Sequence, residues 1–150
     1  MRRTSFDTMR CSIAQALDVV GDPWTLLVVR EAFFGTTRFD DFQRNLSIPR
    51  ATLSSRLSSL VEHGVLDRSD DPDDRRRHTY TITTKGRALD SVMVALLQWG
   101  DAWSDITEPP VTLLDLDSDQ PIEPIYVDAR SGTPLGELRI GRRINPTTDG

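Results

Sequence analysis

Residues 50–63 carry a helical pattern with two unlike faces, and no other segment limits the chain as much. Leu53, Leu57, Leu60 and Val61 recur at the three- and four-residue spacing of a buried stripe. The opposite positions are Ala51, Ser55, Ser58 and Ser59, flanked by Arg50, Thr52, Ser54 and Arg56. Small hydroxyl side chains bordered by arginines bury little apolar area, so this face suits close approach to a polar partner. The segment follows a three-residue break, Ser47-Ile48-Pro49, and stops at Gly64. Before the break, Phe39, Phe42 and Leu46 mark the inner face of a shorter helix capped by Thr37, with Arg38, Asp40, Asp41 and Arg44 outside. Two short helices joined by a tight turn, the second so decorated, make a helix-turn-helix candidate. The helical patterns alone fit an ordinary bundle helix with a solvated face equally well.

The next segment separates the two readings. Residues 65–69 and 78–83 are both strand-like, and the second alternates Tyr80 and Ile82 with three threonines. Between them Asp70-Asp71-Pro72-Asp73-Asp74 forms a turn, followed by Arg75, Arg76 and Arg77. A hairpin directly behind a recognition-type helix is a wing, and its arginines can reach a minor groove. Taken alone, such a charge run is more often a solvated loop. The pattern predicts a recognition helix over about 49–63 in a major groove and a wing over 70–78.

The remaining helices frame this unit. Ile13, Ala14, Leu17 and Val20 predict a short amphipathic helix over 10–20, stopped by Gly21 through the left-handed backbone open to glycine. Asp22 and Pro23 cap the next helix, which is apolar almost all round to Phe34 and belongs at the centre of a bundle. A last strong helix over 86–103 carries Leu89, Val92, Met93, Leu96, Leu97, Trp99 and Trp103. These cover more than one stripe, so Leu89, Val92, Met93, Leu96, Trp99 and Trp103 are candidates for packing on a second copy. The alternative is that the tail covers the surplus. Six of the nine prolines lie in 107–150, which sets a boundary at Thr107–Pro110. The expected organisation is 1–106 as a DNA-binding and dimerisation domain and 107–150 as an acidic extension. In the extension, 122–127 and 135–140 read as a hairpin and 114–120 as an acidic loop. The fold class is mostly α with a small β-wing and a β-rich extension.

Composition at first argues against a nucleic-acid partner. The 150-residue chain has a net charge of −5, and phosphate binding needs positive potential. The charge is unevenly spread, however. Residues 107–150 hold 4 basic and 8 acidic side chains, whereas 38–87 hold 10 basic, nine of them arginine, against 8 acidic. One cysteine and two histidines exclude a disulfide framework and a complete structural zinc site, so no cofactor or metal is expected. The longest apolar runs, 26–29 and 92–97, are too short for a bilayer, and Met1-Arg2-Arg3 leads into no apolar signal core. A cytoplasmic location without membrane association is expected. No P-loop, dinucleotide fingerprint or triad pattern is present, so the chain does not read as an enzyme.

The run Cys11-Ser12-Ile13-Ala14-Gln15-Ala16-Leu17-Asp18 to Gly21-Asp22-Pro23-Trp24-Thr25-Leu26-Leu27 resembles the opening of HxlR-type transcriptional regulators. So do Arg38-Phe39-Asp40-Asp41-Phe42-Gln43, Ala51-Thr52-Leu53-Ser54-Ser55-Arg56-Leu57, His63-Gly64-Val65-Leu66 and Thr83-Thr84-Lys85-Gly86. The likeness covers about residues 10–103, and Asp74-Arg75-Arg76-Arg77 resembles the wing of the wider MarR-like group. It implies a dimeric winged helix-turn-helix protein that binds double-stranded operator DNA. Two departures stand out. Ser12 replaces the proline usual after the cysteine, and 127–132 resembles the turn of a cysteine-rich ribbon found in some relatives, without its cysteines. A zinc-dependent tail is therefore not expected.

On this reading Thr52, Ser54 and Ser55 meet the groove, Arg50 and Arg56 meet phosphate or guanine, and Arg38 holds the backbone from the preceding helix. Arg56 alternatively pairs with Asp40 or Asp41. Arg75, Arg76 and Arg77 are the wing contacts, with Asp74 placing one of them. The resemblance also implies a redox or electrophile switch at Cys11, near Arg10 and a helix N-terminus that favour thiolate. The bland alternative is a small side chain within an interface. His63 sits where a cation favours a helix dipole. Trp24, Trp99 and Trp103 read as packing, with a cleft for a planar effector as the other option. The competing function is a winged-helix module that binds protein and reads no DNA sequence.

Overall fold

A computed structural model of the chain describes residues 5, 6 and 8–146; the Met1-Arg2-Arg3 start lies outside them. The chain divides into two compact units between Ala102 and Trp103.

The first unit opens with α1 (Ser12–Val20) and α2 (Pro23–Phe33). Gly21 ends α1 in a right-handed conformation, φ −74°, and not in the expected left-handed one. Glycine is needed there for space, because an added Cβ would collide with the Leu17 carbonyl oxygen. Asp22 caps α2 as expected, its carboxylate accepting from the Trp24 N–H at 3.0 Å with Pro23 in the first position. Val28 and Val29 of α2 are fully buried at the centre of the unit.

Helix α3 (Phe39–Leu46) is followed by α4 (Arg50–Glu62). The turn between them places Ser47 in the left-handed region at φ 51°, which for a side-chain-bearing residue is uncommon. Ile48 is then driven into the core. The cap of α3 is Arg38, not Thr37, and it makes no side-chain capping bond. The Thr37–Arg38 backbone is engaged elsewhere: the Thr37 carbonyl accepts from Tyr80 N–H at 2.8 Å, and Arg38 bridges antiparallel to Thr79. Gly64 stops α4 with φ 69°, which lets Val65 N–H reach back to the Leu60 carbonyl at 2.8 Å.

Strands β1 (Leu66–Asp70) and β2 (His78–Ile82) pair antiparallel, from Leu66 opposite Ile82 to Asp70 opposite His78. The core joins Val28, Val29, Phe42, Ile48, Leu53, Leu57, Leu60, Val65, Leu66 and Tyr80. Phe42 and Tyr80 meet edge to face, 6.5 Å between centroids. The expected last helix is two: α5 (Thr84–Arg87) and α6 (Asp90–Trp103). Thr83 Oγ1 accepts from Gly86 N–H, and the chain tightens to a three-residue bond from Leu89 N–H to the Gly86 carbonyl. Gly86 lies so close to the Val65 carbonyl that no Cβ would fit.

This is a winged helix-turn-helix unit. In the second unit the only paired strands among the described residues are β3 (Leu114–Asp115) and β4 (Gln120–Pro121), so the segment expected as an acidic loop over 114–120 has its ends in a short hairpin. The hairpin read over 122–140 contracts to one bridge, Val127 to Pro134, with a short 3₁₀ turn at Leu135–Glu137. Asp128 explains the contraction: its carboxylate accepts from the Ser131 N–H and hydroxyl, closing a tight turn in place of a ladder.

Candidate nucleic-acid interface

The buried stripe of α4 holds its other face outward. Leu53, Leu57 and Leu60 are fully enclosed, whereas Arg50, Ser54, Ser55 and Ser58 are exposed and Thr52 is half-buried. Because α4 packs on α2 and α3 through those leucines, its first turn stands beside the start of α3 and the wing.

There the structure forms an open cleft of about 510 Å³, lined by Arg38, Phe39, Asp40, Asp41, Arg44, Arg50, Arg76, Arg77, His78 and Tyr80. Five arginines and two aspartates line it, and Asp71, Asp73 and Asp74 behind the lining also pair with its arginines, so the cleft is rich in arginine within a balanced network of ion pairs. It brings together four of the residues singled out in sequence: Arg38, Arg50, Arg76 and Arg77. Arg75 is exposed on the same loop.

The arginines differ in how they are held. Arg50 lies 4.7 Å above the Phe39 ring and 3.9 Å from Asp40, still largely exposed. Arg76 and Arg77 stand 3.5 and 3.6 Å from Asp74, so Asp74 does place wing arginines. Asp74 also accepts from the Arg76 N–H at 3.0 Å. Arg56 behaves differently. Its guanidinium is mostly buried and sits 3.4 Å from Asp22, the cap of α2, so neither Asp40 nor Asp41 is its partner. Arg38 directs its fork at Asp71 and Asp73 in the wing loop.

Neither the acidic partner of Arg38 nor that of Arg56 was legible beforehand. Asp71 is one of four aspartates in a five-residue run, and only its burial, 2% exposed, distinguishes it. Arg44, outward-facing by its sequence position, pairs with Asp41 and lines the cleft. Glu31 was also missed. It is buried on α2 and held by Arg30, Thr36 and Asn45, which ties the end of α2 to α3.

Other candidates lie apart. Cys11 is exposed and forms the cap of α1 without a side-chain bond. His63 ends α4 with Nδ1 2.7 Å from the Ser59 carbonyl, and Lys85 Nζ donates to the His63 carbonyl. Leu89, just before α6, and Met93 on α6 pack against the core, whereas Val92, Leu96, Trp99 and Trp103 are exposed. Trp24 packs against the core. Among the described residues no cluster suits a metal ion, and no helix is long and apolar enough to cross a membrane.

Residues 19–108 match the HxlR-like helix-turn-helix family. An uncharacterised HTH-type transcriptional regulator of Mycobacterium tuberculosis is 43% identical over 136 residues, covering 90% of this chain and 84% of that protein. The crystal structure of PA1607, a candidate transcription factor, superposes with a TM-score of 0.81 at 39% identity, covering 93% of this chain and 100% of its own. The oxidised form of the redox regulator HypR superposes with a TM-score of 0.58 at 26% identity, over 64% of this chain and 100% of its own. These relatives are described as regulators, not enzymes.

Proposed function

The chain belongs to the HxlR-like helix-turn-helix family and is a transcriptional regulator of helix-turn-helix type; from that premise we propose that it binds operator DNA as a homodimer. The observation that carries this reading is the arginine-lined cleft, which joins the first residue of α4 to the wing. With α4 in a major groove, Thr52, Ser54 and Ser55 meet base edges and Arg50 swings from Phe39 onto phosphate or guanine. Arg75, Arg76 and Arg77 follow the backbone into the adjacent minor groove. Arg56 braces α4 against the start of α2 through Asp22 and adds positive potential from behind.

The second copy covers the apolar surplus of α6. Trp99 and Trp103 are 67% and 77% exposed, an expensive arrangement for two tryptophans on one helix of a lone chain. Two copies related by a two-fold axis present two recognition helices to two half-sites.

Cys11 is the effector candidate, since its exposed thiol at the cap of α1 is open to oxidants and electrophiles. Treatment with diamide then weakens DNA binding of the native protein and leaves Cys11→Ser unaffected. Equal losses in both proteins remove the switch.

The reading is tested by fluorescence anisotropy with a labelled fragment from upstream of the protein's own gene, over several salt concentrations and against scrambled competitor. Expected are competitor-resistant binding and a log–log salt slope near −0.9 per phosphate contacted. Absence of binding to any DNA at low salt overturns the reading in favour of a protein-binding winged helix.

A further inference from the structure

We propose that Asp71 is the positioning residue of the wing, clamping it to the start of α3 through Arg38; the inference rests on the DNA-binding reading above. The wing loop is otherwise open: residues 67–70, 72, 73 and 75–77 are all exposed. Asp71 is 2% exposed in their midst. A carboxylate leaves water at such a site only when cations and N–H groups replace its hydration.

Here both carboxylate oxygens are engaged. Arg38 Nε stands 3.1 Å from Oδ2 and its Nη2 3.5 Å from Oδ1, a two-point grip across 33 residues of sequence. The Asp73 N–H donates to Oδ1 at 2.9 Å, and the Asp71 N–H donates to the Arg77 carbonyl at 2.9 Å. Arg38 Nη2 also donates to Asp73 at 3.2 Å. The far end of the grip is equally fixed, because Arg38 caps α3 and its backbone bridges to Thr79 of β2.

Arg38 therefore spends its fork on the protein. Its contribution to DNA binding runs through the placement of Arg75, Arg76 and Arg77. Beyond the Arg38 contacts to Asp71 and the exposed Asp73, the side-chain bonds and ion pairs of the loop tip, Asp74 with Arg76 and Arg77, are internal to the loop. Without the clamp the three arginines move as a tethered group, and ordering them on DNA costs enough entropy that part of their phosphate contacts is not made.

Simple electrostatics and the clamp predict opposite signs for one variant. Asp71→Asn removes a negative charge from a DNA-facing loop, and charge alone makes binding tighter. The clamp makes it weaker. The expected result is a Kd raised about tenfold with a salt slope flattened by more than ~1, more than one lost phosphate contact gives. No arginine has been removed in this variant. Arg38→Gln gives the same loss, and the double variant Arg38→Gln, Asp71→Asn adds nothing further, as a shared interaction requires. Amide exchange reads the clamp without DNA: protection at Asp71 and Asp73 falls in each variant, while the α4 and β2 core amides stay protected and show an intact fold. Should Asp71→Asn unfold, Arg38→Lys, which keeps charge and loses the fork, carries the same expectations at smaller size. Binding by Asp71→Asn as tight as or tighter than native, with unchanged slope, overturns the clamp. Failure of the native protein to bind any DNA overturns the underlying reading instead.

Discussion

Helices α4 and α6 are close in length, 13 and 14 residues, and both carry apolar side chains at helical spacing, yet their fates differ. Leu53, Leu57 and Leu60 of α4 are enclosed by the chain itself, whereas no residue of α6 is buried. An apolar stripe states that a helix face needs cover and leaves open what covers it. For α4 the cover is α2, α3 and β1, and the polar remainder is what the molecule presents outward. On α6 Met93 packs against the core, together with Leu89 just before it, and the outward surface is apolar. One helix thus offers a polar face that suits nucleic acid, and the other an apolar face that suits a copy of itself.

The contrast can be broken most forcefully by truncating a leucine on each helix. Leu57→Ala is expected to cost 2–5 kcal/mol, roughly, because its cavity lies in a closed core. Leu96→Ala, measured by urea denaturation at a concentration low enough to separate copies, is expected to cost less than about 1 kcal/mol. Equal costs would place α6 inside the chain's own core and dissolve the distinction.

Trp99→Glu sharpens the second half of the comparison. Light scattering is expected to report a single chain in place of two. DNA affinity is expected to fall on the order of a hundredfold, since two linked half-site contacts become one. Unchanged mass would move the dimer surface away from α6.

The smallest effect lies in the second unit, where turns replace core. The Ser118 hydroxyl donates to Asp115 and the Ser131 hydroxyl to Asp128, which holds both carboxyls below their ordinary value of 3.8. A folded value below the unfolded one stabilises the turn above the unfolded value and loses that stabilisation as pH falls through the folded value. Carboxyl NMR titration is expected to show both groups ionising below the ordinary range. Ser118→Ala and Ser131→Ala should raise them towards it and leave the first unit unaffected.

Most of the first unit was legible because its determinants are local. Periodicity marks α1 to α4, Gly64 marks the end of α4, and the β-branched run at 78–83 marks the wing. The site was legible as a set of residue types and a place in the chain. What escaped depends on long-range contacts. Nothing in the run Asp70-Asp71-Pro72-Asp73-Asp74 shows that Asp71 alone turns inward, because that requires Arg38 to arrive from α3. Arg56 reads in sequence as a phosphate or guanine contact, with Asp40 or Asp41 as the alternative, and it pairs with Asp22 because α4 packs on α2. Thr37 looked a better cap than Arg38 until β2 claimed its carbonyl. The hairpin at 122–140 contracts to the Val127–Pro134 bridge because strand-like composition has no fixed meaning without a partner sheet.

Hydroxyl-radical footprinting on the bound upstream fragment tests the central claim most directly. The account predicts two protected patches, centred about 10–10.5 base pairs or a multiple of that apart, one for each copy of α4 and its wing. Trp99→Glu should lose this paired pattern at the same protein concentration. A single patch from the native protein, or paired patches that persist in Trp99→Glu, would contradict the account.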